Sequence, residues 1–473
     1  MKNNNAYSIK KYFEFIYVVI ACNAYVILFY VFLKISMDSI LWSFMHATIS
    51  SIILWNILYK SEKRFNKDKL SITSIFLIVF SIYFQLSSIK YSQLYLYRGF
   101  ISDNNVRFIG SLYVGIILYF STELWYFLRF KKGNNINKIS ELNKQFRINW
   151  LTIFFAELLM MTYFLYVYIK NPISPYLRSY NILLSPLDQF INILISIILA
   201  LILCSIVFYF KRKGGYILIF LFILIFFLQA LISGSRSAFV APLLGILIGL
   251  LFLKKISFNL FKRAVVYGPL CIILLSIVFF TVSGRVAQGE YEIYAHQIAY
   301  RFDLSDFPLT LLKENPKNSF SLKPIAEALQ LSIPAFLNKN KMSIIENSSY
   351  KKLLYSANLI GTDYTDSFFS MGVEIAGWTG FMLSLPLFVI FFELYDAGIS
   401  KLGIFGLIMK ILTYYFYTRI EYIWPTLFIN IRSLILYGIA GYIFYRIVFR
   451  KKKVNYVKGN TNIIGNNLDY KSE

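Results

Sequence analysis

Ser233-Gly234-Ser235-Arg236-Ser237 is a five-residue polar break between two very apolar stretches, and it is the sharpest local feature of the sequence. An arginine at a bilayer centre costs about 2.5–3.5 kcal/mol or more, so Arg236 is expected at a membrane interface. Glycine and serine leave backbone N–H groups open, and Ser235 with Arg236 then reads as an anion nest closed by a guanidinium clamp. The same residues also fit a tight turn with a snorkelling arginine. Two further arginines follow, Arg285 in Ser283-Gly284-Arg285 and Arg301 in the stretch His296–Asp303. If that stretch is helical, His296, Tyr300 and Asp303 share one face with Arg301 beside it, which sets an imidazole near a carboxylate and a guanidinium. The alternative is an amphipathic surface helix with a solvated histidine.

Carboxylates supply the rest of the candidate chemistry. Asp363 and Asp366 precede an apolar run beginning near Phe368, where they are candidates for a helix cap, Asp366 also for a base. Glu374 lies about two turns into that run, and Glu157 is near the middle of another, in Phe154-Phe155-Ala156-Glu157-Leu158-Leu159. Intramembrane carboxylates read as functional sites by default, with structural pairing to Lys410 or Arg432 as the competing account. His46 reads as a satisfied residue of the helix bundle. No Walker A, GxGxxG, HExxH or nucleophile-elbow motif occurs, and no metal-ligand cluster is visible, so no cofactor or metal is expected.

These residues must be positioned by membrane helices. Of the 473 residues 58% are hydrophobic and only 15% charged, and Phe and Tyr number 46 and 37. Soluble domains sit nearer 45–50% apolar and about 25% charged, so a soluble enzyme, a disordered regulator and a disulfide-stapled module are excluded. Runs long enough for a roughly 30 Å hydrocarbon core fall at 12–33, 40–59, 70–89, 108–128, 148–168, 188–210, 216–232, 238–253, 264–282, 368–394, 402–418 and 428–446. The expected fold is all-α, a polytopic membrane bundle of about twelve helices.

Placing the N-terminus inside puts 29 of the 48 basic residues in cytoplasmic connections and only eight in the short outer ones. The formal net charge of +24 is then a topology signal with an anionic-lipid component and not a nucleic-acid footprint. Both termini are expected in the cytoplasm. Residues 1–283 form one membrane part, 284–367 one large extracytoplasmic loop, 368–447 a second membrane part, and 448–473 a polar, Asn-rich tail. The loop carries nine basic and nine acidic residues, several prolines, and a helix-compatible stretch at Ile325–Leu331. Connections this long are uncommon unless functional or disordered, and its apolar residues favour a small ordered element.

SGSRSAF (233–239) and MGVEIAGWTG (371–380), together with many helices and one large late outer loop, resemble the Wzy-type polysaccharide polymerases, which include the O-antigen polymerases. The resemblance covers the whole chain as architecture. It implies a GT-C-like glycosyltransferase at the outer face of a bacterial cytoplasmic membrane. The donor and acceptor it implies are undecaprenyl-diphosphate-linked oligosaccharides, and a chain-length regulator protein is an implied partner. Related ligases open a loop motif with His followed by Asn, Ser or Gln, which His296-Gln297 matches, while Phe307 stands where that motif has Gly. On this reading Arg236, Arg285, Arg301 and Ser235 bind the diphosphate, and His296, Asp303, Asp366 and Glu374 are candidate bases. A flippase for the same lipid-linked oligosaccharides is the alternative, for which Glu157 is suited and the long outer connection is not.

Overall fold

The computed structural model describes residues 2–32, 39–67, 69–92, 103–128, 148–170, 186–212, 214–233, 237–268, 303–314, 320–333, 352, 367–417 and 424–448. Thirteen named helices run through them: α1 Lys2–Phe32, α2 Ile40–Asn66, α3 Ile72–Leu86, α4 Asn104–Phe127, α5 Trp150–Lys170, α6 Pro186–Tyr209, α7 Gly215–Ser233, α8 Ser237–Phe252, α9 Asp306–Glu314, α10 Lys323–Ser332, α11 Phe368–Ser400, α12 Gly403–Tyr417 and α13 Trp424–Val448. A 3-10 turn, Ser87–Ser92, continues α3, and 258–268 is also helical. No strand occurs among the described residues.

Seven helical segments are long and apolar enough to cross a membrane, namely Lys11–Leu28, Ile40–Asn66, Ile72–Tyr91, Asn104–Phe127, Trp150–Val167, Phe368–Ser400 and Ile431–Val448. Four shorter apolar helices, Leu194–Tyr209, Gly215–Gln229, Pro242–Phe252 and Gly403–Thr413, match four more of the expected spans. The expected span 264–282 begins in the helical stretch 258–268 and otherwise lies outside the described residues. So do most of the expected loop 284–367 and the tail after Val448. Within the loop, α10 contains the expected Ile325–Leu331 helix.

α3 is the central post. Every residue from Ile72 to Leu86 except Tyr83 is buried, which requires a helix apolar all round. Of its polar side chains, Gln85 is bonded to two neighbouring helices: Ser50 donates to it, and its amide donates to the Cys22 carbonyl at 3.2 Å. Phe76 anchors the contact with α11, its ring 5.5 Å from Phe368, 4.9 Å from Phe388 and 5.5 Å from Phe392. Peripheral helices instead keep an apolar outer face. Ile435, Ile439, Ile443 and Ile447 form an exposed stripe at helical spacing along α13, the pattern of a lipid-facing surface.

α11 is broken near its start. Ala376 (φ −148°, ψ 26°) and Gly377 (φ 52°, ψ −129°) leave helical geometry, and the positive φ at position 377 favours glycine. The chain turns back so tightly that Gly372 and Gly380 touch backbone to backbone. A Cβ on Gly380 would lie 1.8 Å from the Gly372 carbonyl oxygen. The break frees the Ile375 carbonyl, and Ser321, just before α10, donates its N–H to it at 2.9 Å. Ahead of the break, the Ser370 hydroxyl accepts the N–H of Ser367 at 2.9 Å, with Ser367 at the N-cap of this helix.

This geometry makes two glycines in one helix behave oppositely. Gly380→Ala collides with fixed backbone and is expected to lower stability by about 3 kcal/mol or more. Gly398→Ala meets nothing within 4 Å and should gain about 0.5–1 kcal/mol from reduced backbone entropy. Thermal unfolding of both variants in one detergent reads the contrast.

Candidate functional site

Among the described residues, the densest buried charge lies at the end of the bundle where α4 begins and α3 ends. The 3-10 turn after α3 delivers Lys90. Asp103 accepts the N–H of Asn105 at 2.9 Å and starts α4, which places Arg107 in the first turns of that helix. From the segment before α11 come Asp303, Ser305 and Asp306. Asp303 accepts the N–H groups of Ser305 at 3.0 Å and Asp306 at 3.3 Å, so its carboxylate starts α9 as a cap would. Asp306 then sits at the N-terminus of α9, where the helix dipole favours negative charge.

Lys90 Nζ lies 3.2 Å from Asp303 Oδ1 and 2.5 Å from Asp306 Oδ1, and Arg107 Nε lies 2.5 Å from Asp306 Oδ2. None of the four side chains is more than 3% exposed. Two cations and two anions leave the cluster neutral, which is the condition for burying it. Arg107 also donates to the Lys90 carbonyl at 3.1 Å. Leu309, one turn into α9, lies directly over Gly110, where even an alanine Cβ would fall 1.9 Å from its Cδ1. The small residue is what lets α9 settle onto α4.

A hydrogen-bonded chain extends the cluster into the helices. Ser305 Oγ donates to Asp303 Oδ1 at 3.0 Å and meets Ser111 Oγ at 3.3 Å, and Tyr91 donates to Ser111 at 3.1 Å. His46 Nδ1 lies 3.2 Å from the Tyr91 hydroxyl, and its Nε2 lies 3.0 Å from the Phe84 carbonyl. His46 is therefore a satisfied bundle residue, as its position in the sequence indicates.

Desolvation pushes both aspartates up, and their neighbours separate them. At Asp306, Arg107 and Lys90 outweigh desolvation and hold the carboxyl well below the usual range. At Asp303, desolvation and the Asp306 charge prevail over the two cations and raise it. This arrangement positions elements. Asp303 is engaged on both oxygens and Asp306 is tied to two cations.

The remaining predicted residues distribute as follows. Glu374 is half-buried in α11, two residues before the break. Glu157 is fully buried in α5, and among the described residues neither of its carboxylate oxygens has a hydrogen-bond partner. Lys410 lies 3.2 Å from Asp396, and Arg432 donates to the Ser332 carbonyl of α10, so neither is the partner of Glu157. Arg236, Ser235, Arg285, Arg301, His296 and Asp366 lie outside the described residues. Lys90, Arg107, Ser305 and Asp306 were not singled out from the sequence. Their signal was two cations at the ends of apolar runs, where each needs a counter-charge, and an Asp-x-x-Asp spacing opening a short helix. No group of three or more His, Cys, Asp or Glu side chains that could hold a metal ion occurs among the described residues.

At the opposite end, Arg64 stacks 4.3 Å from the Trp125 ring and lies 3.7 Å from Glu393, whose other oxygen accepts the Trp125 indole N–H at 3.1 Å. Asp396 there accepts the Ile72 N–H at 3.3 Å. The bundle is thus pinned by polar groups at both ends and packed by apolar ones between. That all-helical architecture is compatible with a multi-pass membrane protein. No protein-family model, curated protein or solved structure matches the chain.

Asp306→Asn leaves two buried cations sharing one carboxylate and should cost about 3–5 kcal/mol. Asp303→Asn should cost less, because desolvation already opposes that charge and an amide oxygen still accepts both N–H groups. The pH signs also differ. Asp306, depressed in the fold, contributes stability above its unfolded value near about 3.9 that is lost as pH falls. Asp303, raised, contributes fully below about 3.9 and loses that contribution as pH rises. Thermal unfolding of both variants across acid pH tests the pair; equal losses at pH 7 would mean that the carboxylates are interchangeable.

Proposed function

We propose that this chain is a membrane glycosyltransferase of the polysaccharide-polymerase type. It joins oligosaccharide repeat units carried on undecaprenyl diphosphate at the outer face of a bacterial cytoplasmic membrane. About twelve membrane helices in a GT-C-like arrangement, with both termini in the cytoplasm, belong to this reading.

The observation that carries it is the attachment of α9 and α10. A charge-neutral buried cluster fastens α9 to the ends of α3 and α4, and the Ser321 N–H holds α10's entry to the broken helix next to Glu374. A polymerase needs an ordered extramembrane element over its helix ends to orient two lipid-linked sugars. A flippase has no such requirement.

The chemistry breaks the donor's anomeric carbon–oxygen bond to diphosphate and forms a glycosidic bond to an acceptor hydroxyl. The hydroxyl proton passes to a protein base, for which Glu374, His296 and Asp366 remain the candidates; Asp303, buried and engaged on both oxygens, starts α9 instead and is withdrawn as a base. The diphosphate leaves as an anion, and Arg236, Arg285 and Arg301, with Ser235, are suited to bind it bidentately.

Purified protein in liposomes with an undecaprenyl-diphosphate-linked oligosaccharide should produce a ladder of longer chains, with one undecaprenyl diphosphate released per linkage. Movement of the lipid-linked oligosaccharide between leaflets with no bond formed would replace this reading with a flippase. In the same assay Arg236→Lys should lose about 2–4 kcal/mol of transition-state stabilisation, a roughly 30- to 1000-fold drop in rate. A snorkelling arginine predicts unchanged turnover from that variant.

A further inference from the structure

α5 presents one buried stripe to the bundle, formed by Ile153, Glu157, Met160 and Phe164 at helical spacing. Glu157 occupies a position suited to leucine. Its exposure is 0%, so protein and not lipid covers it. α5 packs chiefly along α7, with Trp150 against Gly214 just before α7 begins, and also against α6. α7 offers buried Leu218, Phe222, Ile225 and Phe226; its one titratable residue is Tyr216, which is exposed. α6 carries Cys204 and Tyr209, together with Asp188, whose side chain lies outside the described residues. α5 itself adds Tyr163, Tyr166, Tyr168 and Lys170, the last two likewise outside the described side chains. No cation forms an ion pair with Glu157 among the described residues, and both its oxygens lack a hydrogen-bond donor.

An ionised carboxylate in such a setting has lost its water and gained nothing in return. A neutral carboxylic acid loses far less. We propose that Glu157 is a proton-binding site inside the membrane domain: its carboxyl carries one proton while α5 is packed on α7 and α6, and releases it to water when that packing opens. The exchange is a single O–H bond broken or remade, with hydronium or hydroxide in water as the other party. It links proton binding to the seating of α5 and is independent of the transferase reading.

The test is infrared spectroscopy of the full chain in lipid nanodiscs, comparing wild type with Glu157→Gln and Glu157→Met. At pH 7 the wild type should show a protonated-carboxyl carbonyl band that both variants lack, and that band should shift in heavy water. Raising the pH should convert the band to carboxylate absorption and lower the wild-type unfolding temperature, a fall that both variants escape. A carboxylate band lost from the variants at pH 7 would overturn the proposal. A carbonyl band that never titrates while the protein stays folded would do the same. If both variants fail to fold, the packing requires the ionised group, and the proposal is again overturned.

Discussion

The attachment of the segment around α9 to the membrane helices rests on one neutral cluster, Lys90 and Arg107 against Asp303 and Asp306. Four charges are buried together because each cancels a neighbour at hydrogen-bond distance. Removing any one exposes the others to a low-dielectric surrounding. Such clusters are poor sources of net stability, since desolvation consumes much of the Coulomb gain. What they supply is geometry. An apolar α9 has many ways to lie across α3 and α4, whereas Asp306 meets both cations in only one. Gly110 and Leu309 reinforce that choice by making the close approach possible in one place.

The broken helix solves a related problem. A membrane helix that interrupts its own hydrogen bonds must find partners for the freed backbone groups. Here the Ile375 carbonyl takes the N–H of Ser321, so the interruption and the segment that leads into α10 are mutually dependent. Arg432 of α13 repeats the pattern by donating to the Ser332 carbonyl at the end of α10. α9 and α10 are therefore bound through ion pairs and hydrogen bonds to four different elements: the 3-10 turn after α3, α4, α11 and α13. That is a stiffer arrangement than a segment tethered only at its termini.

Polar groups are handled differently in the interior. Gln85 and His46 are bonded to neighbouring helices, and Asp396 with Glu393 is matched by cations and N–H groups near the opposite end. Among the described buried carboxylates Glu157 differs in that both its oxygens lack a hydrogen-bond partner, and it lies on a helix with a large exposed apolar face, including Phe155 and Leu159. A group held at such cost on a peripheral helix is a natural place for a proton-linked movement, because shifting α5 leaves the α3 post undisturbed.

Hydropathy by itself located the helices, since crossing a membrane imposes a local, length-coded requirement on the chain. The short helix at Ile325–Leu331 was legible as well, because composition and proline spacing are local too. The charge cluster was legible only in fragments. Lys90 and Arg107 are separated from Asp303 and Asp306 by about two hundred residues, and nothing in a linear pattern says which carboxylate will reach which cation. The break at Ala376–Gly377 was visible as a glycine-rich stretch, yet its fold-back depends on Gly372 and Gly380 meeting, a contact between backbones. Glu157 shows the division most simply. Sequence placed a carboxylate in mid-helix, but whether it is paired depends on what the neighbouring helices bring to it. Only their packing, with Lys410 drawn to Asp396 and Arg432 to α10, decided that it would stand without a partner among the described residues.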